Sequence, residues 1–161
     1  MPLSQSKLAT ELEAMEPAGD ELTAIQNFAT AFNNYFKDAT AGVPAIPATL
    51  DPAKSAMVGA MTGLSITGAA AIQAGITAYW GVVALSGATI WILVPPIAAV
   101  TPPPGLGGLV ASLAAAFTAN TVGALDLIAS AAAIAAAIHS TQSGALALIT
   151  PPPPNVTVPI V

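Results

Sequence analysis

Residue types that could form a catalytic triad occur together around the only histidine of the chain. His139 is followed by Ser140 and Thr141, and Asp126 precedes it in the same alanine-rich stretch. A triad requires the histidine to contact both the nucleophile and the carboxylate. On one helix, the 13 positions between Asp126 and His139 separate the two residues by about 20 Å. The sequence therefore predicts a polar helix end here and no triad.

Acidic residues are the next group that could bind a ligand, and they are concentrated near the N-terminus. Their spacing matches no calcium-binding loop and instead fits the solvated face of a helix; the residues are Glu11, Glu13, Glu16, Asp20 and Glu21. One histidine and no cysteine leave too few ligands for a transition-metal site. We therefore expect no metal and no cofactor.

Two short motifs match functional patterns only in part. The stretch PPPGLGG at 102–108 lacks the Lys and Ser/Thr of a phosphate-binding loop and the strand-to-helix fingerprint of a dinucleotide site, so we interpret it as a helix start. The stretch NVT at 155–157 matches a glycosylation pattern. That pattern matters only in a secreted protein, and MPLSQSKLATELEAMEP does not resemble a secretory signal. With no residue set for catalysis, we expect a protein that is not an enzyme.

The charges are few and unevenly distributed. Of the 161 residues, 7% are charged and 55% hydrophobic, whereas a typical globular domain has about 25% charged residues. All charged side chains except Asp126 lie between Lys7 and Lys54. A net charge of −5 with three lysines and no arginine argues against nucleic-acid binding, which requires phosphate neutralisation. The long uncharged remainder must contact lipid or other protein over much of its surface.

Helical periodicity and cap residues divide most of the chain into three helix pairs. Ser4 and Asp20 are predicted N-caps of the first pair, and Asp51 with Pro52 predicts the start of the second. In the second helix the apolar face comprises Leu22, Ile25, Phe28, Phe32 and Phe36. The predicted helices cover residues 4–15, 20–42, 51–65, 66–84, 107–120 and 122–140. The fold class is thus mainly α, an alanine-rich bundle of about three helix hairpins with short extended arms.

Each helix pair is followed by a glycine, a short apolar stretch and prolines. The clearest examples are GATIWILVPPIA at 87–98 and GALALITPPPP at 144–154. This pattern suggests degenerate repeats at about 3–47, 50–96 and 105–154. We interpret residues 1–149 as one helical domain and residues 150–161 as a proline-rich extended arm.

The apolar stretches that end in proline are candidates for contacts between subunits. TIWILV at 89–94 is rich in β-branched and aromatic residues, which predicts a strand or extended arm. Four prolines favour a stiff polyproline conformation that would carry the alternating tail NVTVPIV to a partner. The candidate interaction residues are Trp80, Trp91, Ile92, Leu93, Val94, Pro151, Pro152, Pro153, Pro154, Val156, Val158 and Ile160.

An integral membrane protein, such as a small pore former or a holin-like protein, is the alternative. Residues 55–125 contain no formal charge, but the 13 residues before Pro95 are shorter than the roughly 20 that a spanning helix needs. A span over 109–138 would place Asp126 near the middle of the membrane. The chain has no Lys or Arg beyond Lys54, so it lacks the basic loop residues that fix the orientation of a membrane protein.

The N-terminal third resembles a known class of proteins. The stretches MPLSQSKLATELEAM, AIQNFATAFNNYFKDA and LDPAKSAMVGAM are similar to small structural proteins from the virion modules of contractile-tailed bacteriophages. The resemblance covers about the first 65 residues best and the remainder loosely. It implies a non-enzymatic subunit of a tail, neck, baseplate or capsid surface, present in multiple copies. It implies no functional residues.

These observations together predict a structural subunit of a multi-copy assembly. We expect it to oligomerise through its uncharged helix faces and proline-tipped arms. Its expected partners are copies of itself and other structural proteins of the particle, with no nucleic acid. It would be made in the host cytoplasm and located in the virion, or in a membrane under the alternative.

Overall fold

The computed structural model describes residues 3–15, 18–39, 50–64, 68–90, 97–121, 127–149 and 156–161. The prediction of a mainly α fold is confirmed. The described residues contain six helices and a small antiparallel sheet. The elements are α1 (Gln5–Glu13), α2 (Glu21–Phe36), α3 (Asp51–Met61), α4 (Ala69–Ile90), β1 (Ile97–Thr101), α5 (Leu109–Thr121), α6 (Leu127–Gln142), β2 (Leu146–Ile149) and β3 (Val156–Pro159).

The first hairpin begins at the predicted caps. The Ser4 side chain accepts from the Lys7 backbone N–H, and the Asp20 side chain accepts from the Thr23 backbone N–H. These bonds satisfy amides that have no partner within a helix. The predicted apolar face of α2 is buried from Ile25 onward, but Leu22 in the first turn remains half exposed. Gly42, the predicted end of this helix, lies outside the described residues.

The second hairpin brings α3 and α4 into close contact. Asp51 is the first helical residue and not the cap, which is Leu50. At Gly75 the two helices approach so closely that an added Cβ would lie 2.6 Å from Met61 Cγ. Because α4 continues to Ile90, the prediction of an extended arm from residue 89 is wrong for Thr89 and Ile90. Residues 91–96 lie outside the described residues.

The third hairpin starts with a short 3-10 turn over Pro104–Gly108. This turn leads directly into α5, as the sequence indicated. Helix α6 ends at Gln142, and Gly144 then adopts a φ of 87°. Such a left-handed conformation favours glycine and turns the chain into β2.

One strand after the second hairpin, which begins at Ile97 behind Pro95 and Pro96, and the two strands after the third hairpin form one sheet. Its strand order is β1-β2-β3, and both pairs are antiparallel. In β1 a bulge lies between Ile97 and Ala99. Of residues 150–161, interpreted from the sequence as an extended arm, Val156–Pro159 forms a strand that pairs with β2 of the same chain, and residues 150–155 lie outside the described residues.

A single core connects all these elements. At its centre are aromatic side chains from α2 and α4. Phe36 meets Tyr79 and Trp80 edge to face, with ring centroids 5.2 Å and 5.1 Å apart, and Phe32 meets Tyr79 at 5.0 Å. Edge-to-face pairs are favourable beyond the burial of their area. The first two hairpins are therefore held to each other by aromatic packing, and the alanine-rich third packs against α1 and α4.

Candidate assembly surface

The sheet has one face in the core and one face turned outward. Val100 and Ala147 are opposite each other and buried, and Val158, the next across the sheet, is half buried. Side chains alternate along a strand, so the neighbouring positions form the outer face. That face carries no charged group and consists of Ala99, Thr101, Leu146, Leu148, Thr157 and Pro159.

The outer edge of β3 is interrupted by a proline. The Ile160 N–H donates to the Ala145 carbonyl at 2.9 Å, which makes Ala145 and Ile160 a hydrogen-bonded pair. Hydrogen-bonded and non-bonded pairs alternate in an antiparallel ladder. The backbone polar groups of Val156 and Val158 therefore face β2, and those of Thr157 and Pro159 face away. Proline has no N–H, so this edge offers a poor template for another strand.

Helices α4 and α5 also turn uncharged faces outward. On α4 the exposed positions Thr77, Gly81 and Leu85 recur every four residues, and Leu85 is 90% exposed. The exposed positions of α5 are small or apolar: Val110, Ala111, Ala114, Ala115 and Thr118. We call the outward faces of α4, α5 and the sheet the uncharged surface. Its most exposed large side chains are Leu85, Val110 and Leu146.

The first hairpin contrasts with this surface because it carries charged side chains that pair with one another or with polar groups at partly exposed positions. Lys7 Nζ lies 2.7 Å from Asp38 Oδ2 and joins α1 to the end of α2. Asn34 Nδ2 donates to Glu11 Oε2 at 2.8 Å across the same two helices. A shallow groove of about 240 Å³ lies beside them and is lined by Glu11, Ala14, Met15, Asn27, Thr30 and Ala31. Of the acidic residues predicted to form a solvated face, Asp20 and Glu21 are exposed, Glu11 and Glu13 are half buried, and Glu16 lies outside the described residues.

Polar groups inside the core are paired and belong to different helices. The Tyr35 hydroxyl lies 2.8 Å from His139 Nδ1, and the Tyr79 hydroxyl donates to Asn33 Oδ1 at 2.8 Å. Burial raises the pKa of both tyrosines above the ordinary value, and the charge of Asp51 adds to the effect on the pKa of Tyr79. A hydroxyl kept protonated in this way serves as a hydrogen-bond donor in the core.

The candidate triad is not assembled in the part of the chain that the structure describes. His139 faces the Tyr35 ring edge to face and shares its hydrogen bond, and Asp126 lies outside the described residues. Among the described residues there is also no group of three or more His, Cys, Asp or Glu side chains that could hold a metal ion.

The structure separates the predicted interaction residues into three groups. Trp80 is fully buried and Ile160 is 2% exposed, so neither offers a free surface on the folded chain. Val156 is exposed and Val158 is half buried. The others lie outside the described residues: Trp91, Ile92, Leu93, Val94, Pro151, Pro152, Pro153 and Pro154.

One described helix has the length and apolar composition needed to cross a membrane. The window Ala69–Ser86 of α4 has a mean hydropathy of 1.3, and 39% of it is buried inside the protein. Its buried side contributes Ile76, Tyr79 and Trp80 to the core. A core helix of a soluble protein has the same properties, so this helix alone favours neither environment.

Comparison of the chain with protein-family models, with curated proteins and with solved structures finds no match.

Proposed function

We propose that this chain is a non-enzymatic structural subunit of a multi-copy assembly. The observation that carries the proposal is the uncharged surface, on which Leu85 stands 90% exposed. Burying a leucine side chain contributes about 1.5–3 kcal/mol, and exposed apolar surface of this kind typically marks an interaction site. Other copies of the chain and other structural proteins are the partners that would cover it.

A bacteriophage particle is the assembly that we propose. The support is the resemblance of the first ~65 residues to virion proteins of contractile-tailed bacteriophages. The distribution of charge is consistent with this role, since the first hairpin carries the ion pair Lys7–Asp38 while the uncharged surface lies on α4, α5 and the sheet. A subunit with one solvated and one uncharged region can face water on one side and its neighbours on the other.

A small membrane protein is the second candidate, because the window Ala69–Ser86 of α4 has the length and composition that a spanning helix needs. Two features of α4 support assembly instead. Trp80 donates to Gln142 within the core, and the exposed side of the helix presents Thr77 and Gly81. An α4 released into lipid would lose the hydrogen bond and the aromatic contacts of α2.

The test is to express the protein without detergent and measure its mass by size exclusion with light scattering. We expect soluble oligomers or larger particles. Leu85→Glu should reduce the assembled mass, because a carboxylate would be buried without a partner at the interface. Leu22→Glu is the matched control, since Leu22 is also an exposed helical leucine but lies in the charged hairpin; this variant should assemble normally.

Recovery of the protein only from detergent-extracted membranes would contradict assembly and favour the membrane candidate. A soluble monomer at all concentrations would contradict both. Equal effects of Leu85→Glu and Leu22→Glu on the mass would show that the uncharged surface is not the contact.

A further inference from the structure

We infer that the groove between α1 and α2 receives the side chain of Lys54 from a second copy of this chain. The inference deepens the proposed function and rests on its multi-copy character. It adds a polar contact between copies that is separate from the uncharged surface. We call this site the hairpin groove; it is lined by Glu11, Ala14, Met15, Asn27, Thr30 and Ala31.

The hairpin groove has the size and the apolar lining of a site for one side chain. Its volume of about 240 Å³ is below the roughly 300–1,000 Å³ of sites for small molecules. Ala31 is buried and Met15 is half buried, so both offer apolar surface inside the groove. Such surface suits the methylene stem of a lysine, which packs on apolar groups while its ammonium group contacts polar atoms.

The polar side chains of the groove favour a cation. Glu11 Oε2 accepts from Asn34 Nδ2 at 2.8 Å, and within the described residues no hydrogen bond is made to the other oxygen of this carboxylate. Thr30 Oγ1 donates its proton to the Gln26 carbonyl at 2.7 Å, which leaves the hydroxyl oxygen as an acceptor. The groove therefore offers two acceptor oxygens, and an ammonium group carries three donors and no acceptor.

Charge complementarity identifies the cation as Lys54. Residues 1–39 carry six acidic side chains and two lysines. Both of these lysines are engaged, since Lys7 pairs with Asp38 and Lys37 donates to an asparagine of its own helix. The side chain of Lys54 makes no ion pair or hydrogen bond with any described residue. Because the chain has three lysines and no arginine, Lys54 is the basic side chain that a second copy has available for the groove.

Lys54 lies on a part of α3 that another copy can approach. It is half buried, and it is not one of the described residues that line the groove of its own copy. Ser55 and Gly59 on the same helix are exposed, and nothing lies within 4 Å of a Cβ added at Gly59. Small residues permit the close approach of another chain to the backbone. The surroundings of Lys54 therefore leave room for the hairpin of a second copy.

Charge reversal tests this contact on the full chain. Lys54→Glu should raise the dissociation constant between copies by about tenfold or more, because a carboxylate would then face Glu11. Lys37→Glu is the matched control: it changes the net charge equally at an exposed position outside the groove, and it should change the constant by no more than about twofold. Sedimentation velocity over a series of concentrations measures both. An unchanged constant for Lys54→Glu, or equal effects of the two variants, would overturn the inference.

A mixture of complementary variants shows whether the two charges meet across copies. Glu11→Lys alone should weaken assembly as Lys54→Glu does. Mixed together, the two variants should assemble like the native protein, because the native lysine of one meets the native groove of the other and the two introduced charges attract. Neither misfolding nor a change of net charge produces such recovery. Variants that stay unassembled when mixed would contradict the inference.

A second groove variant keeps this test valid if Glu11→Lys does not fold. Thr30→Lys introduces a positive charge from an exposed position and keeps the hydrogen bond between Asn34 and Glu11. It should weaken assembly alone and recover it in a mixture with Lys54→Glu. Failure of this mixture as well would overturn the inference.

The outcomes separate this contact from the proposed function. If Leu85→Glu reduces the assembled mass and Lys54→Glu does not, the hairpin groove is not a contact and the proposed function stands. If Lys54→Glu reduces the mass and the mixture recovers it while Leu85→Glu has no effect, the hairpin groove stands and the proposed uncharged contact fails. A monomer at all concentrations would overturn both.

Discussion

Trp80 Nε1 donates a hydrogen bond to Gln142 Oε1 at 2.6 Å, and the two residues are 62 positions apart in the sequence. Both side chains are buried. Gln142 in turn donates from Nε2 to the Ile138 carbonyl and to Thr141 Oγ1. Helix α4 is therefore held to the end of α6 by the side-chain amide of Gln142, whose oxygen and nitrogen both have hydrogen-bond partners. This contact fixes the position of the turn that leads into β2.

Gln142→Leu should lower the free energy of unfolding by about 1–3 kcal/mol, the cost of leaving a buried donor without its partner. Denaturant unfolding measures the change. Gln73→Leu is the control, because Gln73 lies on α4 and accepts from the Val110 N–H at an exposed position, where the expected change is within about 0.5 kcal/mol. Equal changes in the free energy of unfolding of the two variants would show that the buried hydrogen bond of Trp80 contributes no more to stability than the exposed one of Gln73.

Two glycines of α4 should respond in opposite directions to alanine. An added Cβ at Gly75 would lie 2.6 Å from Met61 Cγ and Sδ, whereas nothing lies within 4 Å at Gly81. Gly75→Ala should destabilise the protein by about 1–3 kcal/mol through overpacking, despite the better helix propensity of alanine. Gly81→Ala should stabilise it by about 0.5–1 kcal/mol. A stabilising Gly75→Ala, measured by thermal or denaturant unfolding, would mean that α3 can move away from α4.

The helices were predictable because their signals are local. Ser4 and Asp20 accept from amides three residues ahead, and the apolar spacing of α2 marks its buried face directly. The end of α4 was mispredicted because Thr89 and Ile90 have strand propensity. A helix already formed extends at little cost, and α4 accordingly includes Thr89 and Ile90.

The sheet and the core polar pairs were not predictable in the same way. The pairing of Val100 with Ala147 joins segments on either side of a whole helix hairpin, and no local pattern specifies such a partner. The burial of Trp80 likewise depends on Gln142 and Phe36. The one available signal was the similarity of the two proline-tipped stretches. It predicted extended structure before the prolines, whereas the strand that pairs with β2 begins after Pro95 and Pro96, at Ile97.

Stability should fall at alkaline pH because Tyr35 and Tyr79 are buried. Burial raises the pKa of both hydroxyls above their ordinary value of 10.0. A group whose pKa is raised on folding contributes its stability in full below the unfolded pKa and loses it as the pH rises toward the folded pKa. Above about pH 10 the free energy of unfolding should fall by up to about 1.4 kcal/mol per pH unit for each tyrosine. Unfolding curves between neutral and alkaline pH measure this slope.

The variant Tyr35→Phe separates the contributions of the two tyrosines to the pH dependence of stability. Tyr35→Phe removes one titrating hydroxyl, so the slope of stability against pH above about 10 should be roughly half that of the native protein. The variant also loses the hydrogen bond to His139, which changes stability at neutral pH but not this slope. Formation of tyrosinate near pH 10 in the folded protein, seen by ultraviolet absorbance, would contradict burial of these hydroxyls.

The C-terminal segment should behave as part of the core and not as a dispensable tail. Ile160 is 2% exposed, whereas Val161 beside it is exposed. Ile160→Ala should destabilise the protein by about 2–5 kcal/mol by leaving a cavity, and Val161→Ala should change stability by no more than about 0.5 kcal/mol. Denaturant unfolding of both variants checks this. A small effect of Ile160→Ala would show that the strand stays off the sheet in solution, since a side chain already in water leaves no cavity when it is shortened.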